Sequence, residues 1–272
     1  MSTRIARKFA ELKERDERAL VAYITAGDPT PARTPGLVLA LERAGADIIE
    51  LGVPFSDPTA DGPVIQRAAE RALKAGTTVA GVLEMARRIR QKSQIPLMLF
   101  TYLNPVLRYG FERLSIEAKE AGIDGCLLTD LSVEEAGAYV RQMREVGLDT
   151  VFLAAPTSTP ARLDLVAKYS TGFVYLVSRT GVTGVQEQVS ASVAPMVEGL
   201  RARTSSPLAV GFGISRREHV EALRPSVDGV IVGSAIVKVI ETYGQSPELE
   251  ERVEELVRDL KQGTRAPAAV NR

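Results

Sequence analysis

Two carboxylates are the residues of this sequence whose surroundings best suit chemistry. Glu50 lies within the apolar run IIELGV, and Asp61 follows it in the turn-rich segment 55–63. A carboxyl group inside an apolar strand loses hydration, and this raises its pKa toward the range where a general acid or base works at neutral pH. A second carboxylate on a loop experiences a different environment, so the pair could divide acid/base and electrostatic roles.

Each carboxylate also has a purely structural interpretation. Glu50 could be a buried residue satisfied by backbone donors or by an arginine. Asp57, which precedes Pro58, could form an Asx turn, and Asp61 could cap a helix that has Pro63 at its first position. A long polar loop next to the end of a strand often serves as a lid, however, and this favours a functional site.

Three glycine-containing turns in the second half of the sequence could bind a phosphate. They are residues 179–184, 211–215 and 233–235, and each contains or adjoins a hydroxyl, at Thr183, Ser215 and Ser234. Glycine lets backbone N–H groups approach an anion closely, and a helix N-terminus adds partial positive charge. A single turn of this kind is explained by turn geometry alone, whereas three in succession favour a phosphate site.

The scarcity of other reactive residues narrows the reaction. The chain has one histidine, His219, and one cysteine, Cys126. Histidine-rich metal centres, Ser-His-Asp triads and Cys-His pairs are therefore not expected, and neither is a disulfide within the chain. The lysines fall in predicted helices, at their ends or in the terminal segments, so a Schiff-base lysine at a strand end is not expected either. We expect proton transfer by carboxylates, without a metal and without a cofactor.

The elements that must position these residues follow from a regular alternation. Short apolar runs, typical of parallel strands buried on both faces, alternate with amphipathic segments of helical period. We predict strands at residues 19–26, 48–53, 97–102, 125–129, 150–154, 173–177, 208–212 and 229–232. Eight such alternations without a break in composition predict an α/β fold, a single (β/α)8 TIM barrel. In that fold the loops after the strands carry the active site.

Two additions flank the predicted barrel. We predict an extra N-terminal helix around residues 3–14 and a charged final helix at 248–261. The catalytic domain is predicted to span residues 1–263, followed by a loose tail at 264–272. His219 is expected on a solvated outer helix and Cys126 in the core. Tyr102 and Tyr175, near strand ends, could be packing residues or could line the pocket.

The composition of the chain limits its possible cellular locations and binding partners. With 45% hydrophobic residues the chain can bury a large core, and 34 basic residues balance 34 acidic ones. There is no basic excess to bind nucleic acid or a membrane surface, and no long apolar stretch to span a bilayer. A charged N-terminus without an apolar signal region and a single cysteine fit the reducing cytoplasm.

Several segments together resemble the tryptophan synthase alpha chain family over nearly the whole chain. They are YITAGDP at 23–29, ELGVPFSDPTADGP at 50–63, SRTGVTG at 178–184, GFGIS at 211–215 and GSAIV at 233–237. The second segment is long and highly specific to the family. The glycine turns indicate where the site lies but do not by themselves identify the family. The resemblance implies cleavage of indole-3-glycerol phosphate to indole and glyceraldehyde 3-phosphate. It also implies a beta chain partner in an alpha2beta2 tetramer, to which indole passes internally for tryptophan biosynthesis.

The resemblance also implies a role for particular residues. Glu50 would be the catalytic acid and base, and Asp61 would bind the indole N–H and stabilise its positive charge. The remaining implied residues are the pocket residue Tyr175, the site-closing residue Thr183, the phosphate-binding residues Gly184, Gly213, Gly233 and Ser234, and the partner-facing residues Asp57, Asn104 and Pro105.

Two rival functions remain to be separated from this one. A phosphosugar isomerase in a barrel could also use two carboxylates. Alternatively, the chain could serve mainly to bind and activate a partner after losing its own catalysis, although the intact pair of Glu50 and Asp61 argues against that. Indole release from indole-3-glycerol phosphate would distinguish these possibilities.

Overall fold

The computed structural model describes residues 3–177, 186–211 and 213–266, with side chains from residue 193 onward in the second range. Its nine strands form one parallel sheet with the order β5-β4-β3-β2-β1-β9-β8-β7-β6. The strands are β1 Ala19–Thr25, β2 Ile48–Gly52, β3 Leu97–Thr101, β4 Gly125–Leu128, β5 Asp149–Thr150, β6 Phe152–Ala154, β7 Val174–Val177, β8 Leu208–Gly211 and β9 Gly229–Val232.

The predicted barrel is confirmed, with one difference in the fifth strand. The segment predicted as one strand at 150–154 is two short strands, because Val151 interrupts the regular pairing between β5 and β6. β5 pairs with β4 and β6 pairs with β7, so the chain itself joins the two ends of the sheet order. The result is a nearly closed α/β barrel of the TIM type.

Helices surround the sheet and follow most of its strands. They are α1 Arg4–Glu14, α2 Thr34–Ala44, α3 Pro63–Lys74, α4 Val79–Arg90, α5 Leu103–Tyr109, α6 Phe111–Glu120, α7 Gly137–Glu145, α8 Pro160–Tyr169, α9 Gln186–Arg201, α10 Arg217–Leu223, α11 Ser234–Tyr243 and α12 Leu249–Gln262. Capping signals in the sequence explain several ends: Thr3 accepts from the N–H of Ala6 at the start of α1, and Gly45 ends α2 at φ 106°. Glycine adopts this left-handed conformation without a steric penalty.

Two hydrophobic layers hold the barrel together. Alternate residues of the strands, such as Leu20 and Ala22, pack outward against the helices. The intervening residues, such as Val21 and Ile48, fill the interior of the barrel. The predicted N-terminal helix closes this interior from one end, because the buried side chains of α1 join the same cluster. Alternation of this kind follows from the two-residue repeat of a strand.

Three aspartates secure the end of the barrel where the strands begin. Asp47, Asp124 and Asp228 each stand one residue before a strand, and each accepts a backbone N–H from the first or second residue of a neighbouring strand at 2.7–2.8 Å. A helix cation pairs with each carboxylate. The pairs are Asp47 with Lys261 of α12, Asp124 with Arg90 of α4, and Asp228 with Arg201 of α9.

The described part of the chain ends just after an anchored residue. Thr264 is fully buried, and its carbonyl oxygen accepts the backbone N–H of Arg18 at 3.0 Å. Its hydroxyl donates to the carbonyl of Lys261 at 2.8 Å. The segment assigned to the tail therefore begins with an anchored residue, while residues 267–272 lie outside the described residues. Among the residues that are described, no helix is long and apolar enough to cross a bilayer.

Candidate active site

A cavity of about 480 Å³ opens at the end of the barrel where the strands finish. Its walls are mostly apolar, with Phe100, Leu153 and Ile231 among the residues that line it, and Ile65 of α3 closes one side. Glu50 and Asp61 are the two carboxylates that line it. A deep apolar pocket with few polar groups suits an aromatic ligand and directs any polar chemistry to those groups.

Glu50 lies on β2 with its side chain in the cavity. It shares the inward-facing side of the strand with Ile48, two residues earlier, which belongs to the barrel interior. The residue is fully buried, and neither of its carboxyl oxygens has a hydrogen-bond partner in the part of the chain that the structure describes. Burial raises the pKa of Glu50 to about 8. Among the described residues, neither a backbone donor nor an arginine satisfies this carboxylate.

Asp61 lies on the loop between β2 and α3 and is half-buried. The hydroxyl of Tyr102 donates to its Oδ2 at 2.9 Å. Burial raises the pKa of Asp61, and the hydrogen bond from Tyr102 opposes part of that rise. The helix-capping alternative for Asp61 is wrong, because Gly62 is the N-cap of α3 and no side chain caps it.

Two tyrosines bring phenol groups to the same cavity. Tyr175 on β7 and Tyr23 on β1 are both buried lining residues. Tyr23 is directly opposite Glu50 in the pairing of β1 with β2, and its hydroxyl lies 3.3 Å from that of Thr25. Desolvation, together with the charges of Glu50 and Asp61, raises the pKa of both phenols, so they remain protonated at neutral pH.

The turns predicted to bind phosphate meet the cavity in part. Gly213, Gly233 and Ser234 all line it. Ser234 is the first residue of α11, so the N-terminus of that helix points its free N–H groups toward the cavity. Thr183 and Gly184 lie outside the described residues. The turn after β9 thus brings a glycine and the positive end of a helix to the cavity, which suits an anion.

The residues expected to face a partner lie outside the cavity. Asp57 is exposed on the loop after β2, and Asn104 is exposed on α5 with Pro105 half-buried beside it. Leu107 of the same helix exposes 59% of its surface. The backbone N–H of Leu103 donates to Asp130 at 2.7 Å, which fixes the start of α5.

Some lining residues were not singled out from the sequence. The sequence places Tyr23 within a motif and gives no signal for Phe100 or Ile65. Strand parity could have identified Tyr23, because Ala19 and Val21 on the same side of β1 belong to the barrel interior. The hydrogen bond from Tyr102 to Asp61 joins residues 41 positions apart in the chain, so no local sequence pattern predicts it.

The arrangement offers one carboxyl group that is protonated near neutral pH and one that receives a hydrogen bond. The first can donate a proton to a substrate carbon and then accept one from a hydroxyl. The second can accept a hydrogen bond from a group that becomes positively charged. Among the described residues, no cluster of three or more Asp, Glu, His or Cys side chains could hold a metal ion. His219 is half-buried on α10, and Cys126 is buried in the core.

Comparisons with known proteins agree with one another. A sequence model of the family described as tryptophan synthase alpha chain matches residues 9–270. The tryptophan synthase alpha chain of Solibacter usitatus (strain Ellin6076) is 66% identical over 98% of this chain and 100% of its own length. The crystal structure of tryptophan synthase subunit alpha from Legionella pneumophila str. Paris superposes with a TM-score of 0.90 at 36% identity, covering 97% of this chain and 99% of that one. A structure of the tryptophan synthase α2β2 complex from Pyrococcus furiosus contains a chain with a TM-score of 0.84 at 41% identity, covering 90% and 98% of the two chains.

Proposed function

The chain belongs to the tryptophan synthase alpha chain family, and from that premise we propose how its own residues carry out the reaction of the family. The alpha subunit is an indole-3-glycerol-phosphate lyase of tryptophan biosynthesis. It cleaves the carbon–carbon bond between the indole ring and the glycerol phosphate chain. The products are indole and glyceraldehyde 3-phosphate.

Glu50 transfers both protons in this proposal. Its carboxyl group is protonated when the substrate enters, because the pKa of about 8 keeps the proton on at neutral pH. The proton goes to the indole carbon that carries the glycerol chain, and the ring becomes a cationic indolenine. The carboxylate left behind then takes the proton of the adjacent hydroxyl as the carbon–carbon bond breaks. Glu50 ends the cycle protonated again, so no net proton is gained or lost.

Asp61 stabilises the charge that develops on the ring. Protonation of the ring carbon makes the indole N–H a stronger donor and places positive charge on the nitrogen. An ionised carboxylate held in a poorly hydrated site stabilises that charge more than it stabilises the neutral substrate, and this difference accelerates the reaction. Asp61 lines the same cavity as Glu50 from the loop that follows β2, which supports the assignment.

The phosphate end is assigned to the last turns of the barrel. We propose that Gly213, Gly233 and Ser234 hold the phosphate, with the N-terminus of α11 supplying partial positive charge. Thr183 and Gly184 are proposed to complete the site from outside the described residues, and Tyr175 to pack against the substrate. The apolar walls between the two ends then receive the indole ring.

The partner is the tryptophan synthase beta chain, with which the relative from Pyrococcus furiosus forms an α2β2 complex. We propose that the exposed Asp57, Asn104 and Pro105 belong to the surface that meets it. We also propose a cytoplasmic location, with which the lone thiol of Cys126 is compatible. The division into a barrel at 1–263 and a tail at 264–272 stays a proposal apart from the anchored Thr264.

One observation carries the proposal: the carboxyl group of Glu50 is fully buried, faces an apolar cavity and has no hydrogen-bond partner among the described residues. A buried polar group without a partner is costly, and such groups mark functional sites. The test is incubation of the purified chain, with and without a beta chain, with indole-3-glycerol phosphate. Release of indole together with glyceraldehyde 3-phosphate supports the proposal, and isomerised substrate without indole contradicts it.

A further inference from the structure

Tyr102 is the first residue after β3 and contacts the loop between β2 and α3 that carries Asp61. It exposes only 3% of its surface. Its hydroxyl donates to Oδ2 of Asp61 at 2.9 Å and accepts the backbone N–H of Ala60 at 3.0 Å. One phenol group therefore binds two consecutive residues of the loop, one through the side chain and one through the backbone.

The ring of Tyr102 also contacts the beginning of that loop. Its centroid lies 5.3 Å from that of Phe55, in a tilted arrangement. Residues 55 and 61 are thus both fastened to the same side chain, while Gln66 of α3 donates to the carbonyl of Asp61 at 2.9 Å. Together these contacts fix the orientation of the Asp61 carboxylate.

We propose that Tyr102 is a positioning residue for the lyase reaction: it binds Oδ2 of Asp61 and thereby reserves Oδ1 for the indole N–H. The inference rests on the role proposed above for Asp61. Among the described residues, only Tyr102 donates a hydrogen bond to this carboxylate, and it donates to Oδ2 alone. A carboxylate has two oxygens, and fixing one fixes the direction of the other.

The hydrogen bond also affects ionisation. A donor to a carboxylate favours its charged form, and here it lowers a pKa that burial raises. An Asp61 without this donor would bind a proton at higher pH and would lose its ability to stabilise the indolenine cation. Tyr102 therefore acts on the reaction through Asp61 in two ways, through its direction and through its charge.

The first experiment is a double-mutant cycle in the α2β2 complex with Tyr102→Phe and Asp61→Asn. Phenylalanine keeps the ring contact with Phe55 and removes only the hydroxyl. We expect Tyr102→Phe to lower kcat about tenfold to a hundredfold, the effect of losing one hydrogen bond to a charged group, with little change in KM. In the Asp61→Asn background the same change should have almost no further effect. Independent, multiplying effects would overturn the proposal.

Tyr139→Phe is the matched control. Tyr139 is also buried, and its hydroxyl donates a hydrogen bond to the carbonyl of Cys126 at 2.8 Å, but that bond lies in the hydrophobic core and not on the loop that carries Asp61. Its removal should leave kcat and the pH profile unchanged. A loss of kcat equal to that of Tyr102→Phe would mean that deleting any buried hydroxyl weakens the enzyme, and the proposal would be wrong.

The second experiment follows the ionisation of Asp61 and needs no turnover. In protein with ¹³C-labelled aspartate carboxyl groups, the Asp61 signal is assigned by its absence in Asp61→Asn. Tyr102→Phe should move its titration to higher pH. Site-specific 3-fluorotyrosine at position 102, a stronger donor that preserves the fold, should move it to lower pH. An unmoved titration overturns the proposal even if indole is released, whereas a chain that shows the shifts but releases no indole contradicts only the proposed function.

Discussion

The hydroxyl of Tyr175 occupies the space that a Cβ atom at residue 211 would fill. A Cβ built on Gly211 would lie 2.2 Å from that oxygen and 2.6 Å from the ring carbon that carries it. Gly52 stands in the same relationship to Tyr23, again with 2.2 Å to the hydroxyl. In both cases a tyrosine on one strand fits over a glycine on the next strand, and the ring is held against the cavity wall.

Gly211→Ala should therefore displace Tyr175. Overpacking of this kind is expected to lower the free energy of unfolding by about 1–3 kcal/mol and to raise KM, because the ring moves into the cavity. Chemical denaturation and steady-state kinetics measure the two effects. Gly36→Ala is the control, since its Cβ would have 3.6 Å to the nearest atom and alanine favours the interior of α2. A Gly211→Ala variant as stable and as active as wild type would refute the close contact.

Glu50→Gln should stabilise the chain in a manner that depends on pH. The pKa of Glu50 is raised from 4.5 to about 8 on folding, so the folded state binds its proton more tightly than the unfolded state. The stability of wild type then falls as pH rises from about 4.5 to about 8, and glutamine removes this loss. The advantage of the variant should grow by about 1.4 kcal/mol per pH unit at most.

Urea denaturation of wild type and Glu50→Gln at several values between pH 5 and 8 measures that advantage. A difference that does not change with pH would show that Glu50 has an ordinary pKa in the folded chain.

Ser234→Asp should impair substrate binding much more than turnover. The new carboxylate would sit at the N-terminus of α11, where we place the phosphate. Two like charges in contact cost several kcal/mol, so KM for indole-3-glycerol phosphate should rise by roughly tenfold or more. Ser234→Ala removes the hydroxyl without adding charge, and its effect should be smaller. Equal KM values for wild type and Ser234→Asp would show that the phosphate does not bind at the N-terminus of α11.

Lys261→Met should destabilise the chain strongly although it lies far from the cavity. The Nζ atom of Lys261 lies 2.7 Å from Oδ2 of Asp47, and both side chains are more than nine-tenths buried. Removing one partner of such a pair leaves a buried charge without compensation and costs about 3–5 kcal/mol. Arg258→Met in the same helix breaks an exposed pair with Glu254 and should cost about 1 kcal/mol or less. Thermal and denaturant unfolding compare the two, and similar losses would contradict this account.

The barrel and the direction of Glu50 could be predicted because both depend on local periodicity. Apolar runs at strand length alternate with helical segments, and residues two apart on a strand share a face, so the inward position of Ile48 places Glu50 inside as well. The interruption at Val151 could not be predicted, since the apolar run continues through it without a turn signal.

Contacts between distant segments could not be predicted from the sequence. The sequence predicts a charged final helix, yet its Lys261 is buried, because Asp47, just before β2, pairs with it. In the same way the sequence pointed to Asp61 but not to the hydroxyl that binds it. The residues of both pairs are far apart in the sequence and come together only in the folded chain, so no local pattern predicts their contacts.

The central claim is that the unpartnered carboxyl group of Glu50 transfers the protons of the cleavage. Its most direct test is the rate of indole formation from indole-3-glycerol phosphate by Glu50→Gln in the presence of the beta chain. We predict that this rate falls by about 10²–10⁴-fold, which is the usual contribution of a general acid and base. Binding of glycerol 3-phosphate should remain at the wild-type level, because the phosphate end is untouched. Indole formation at a rate close to that of wild type would contradict the account.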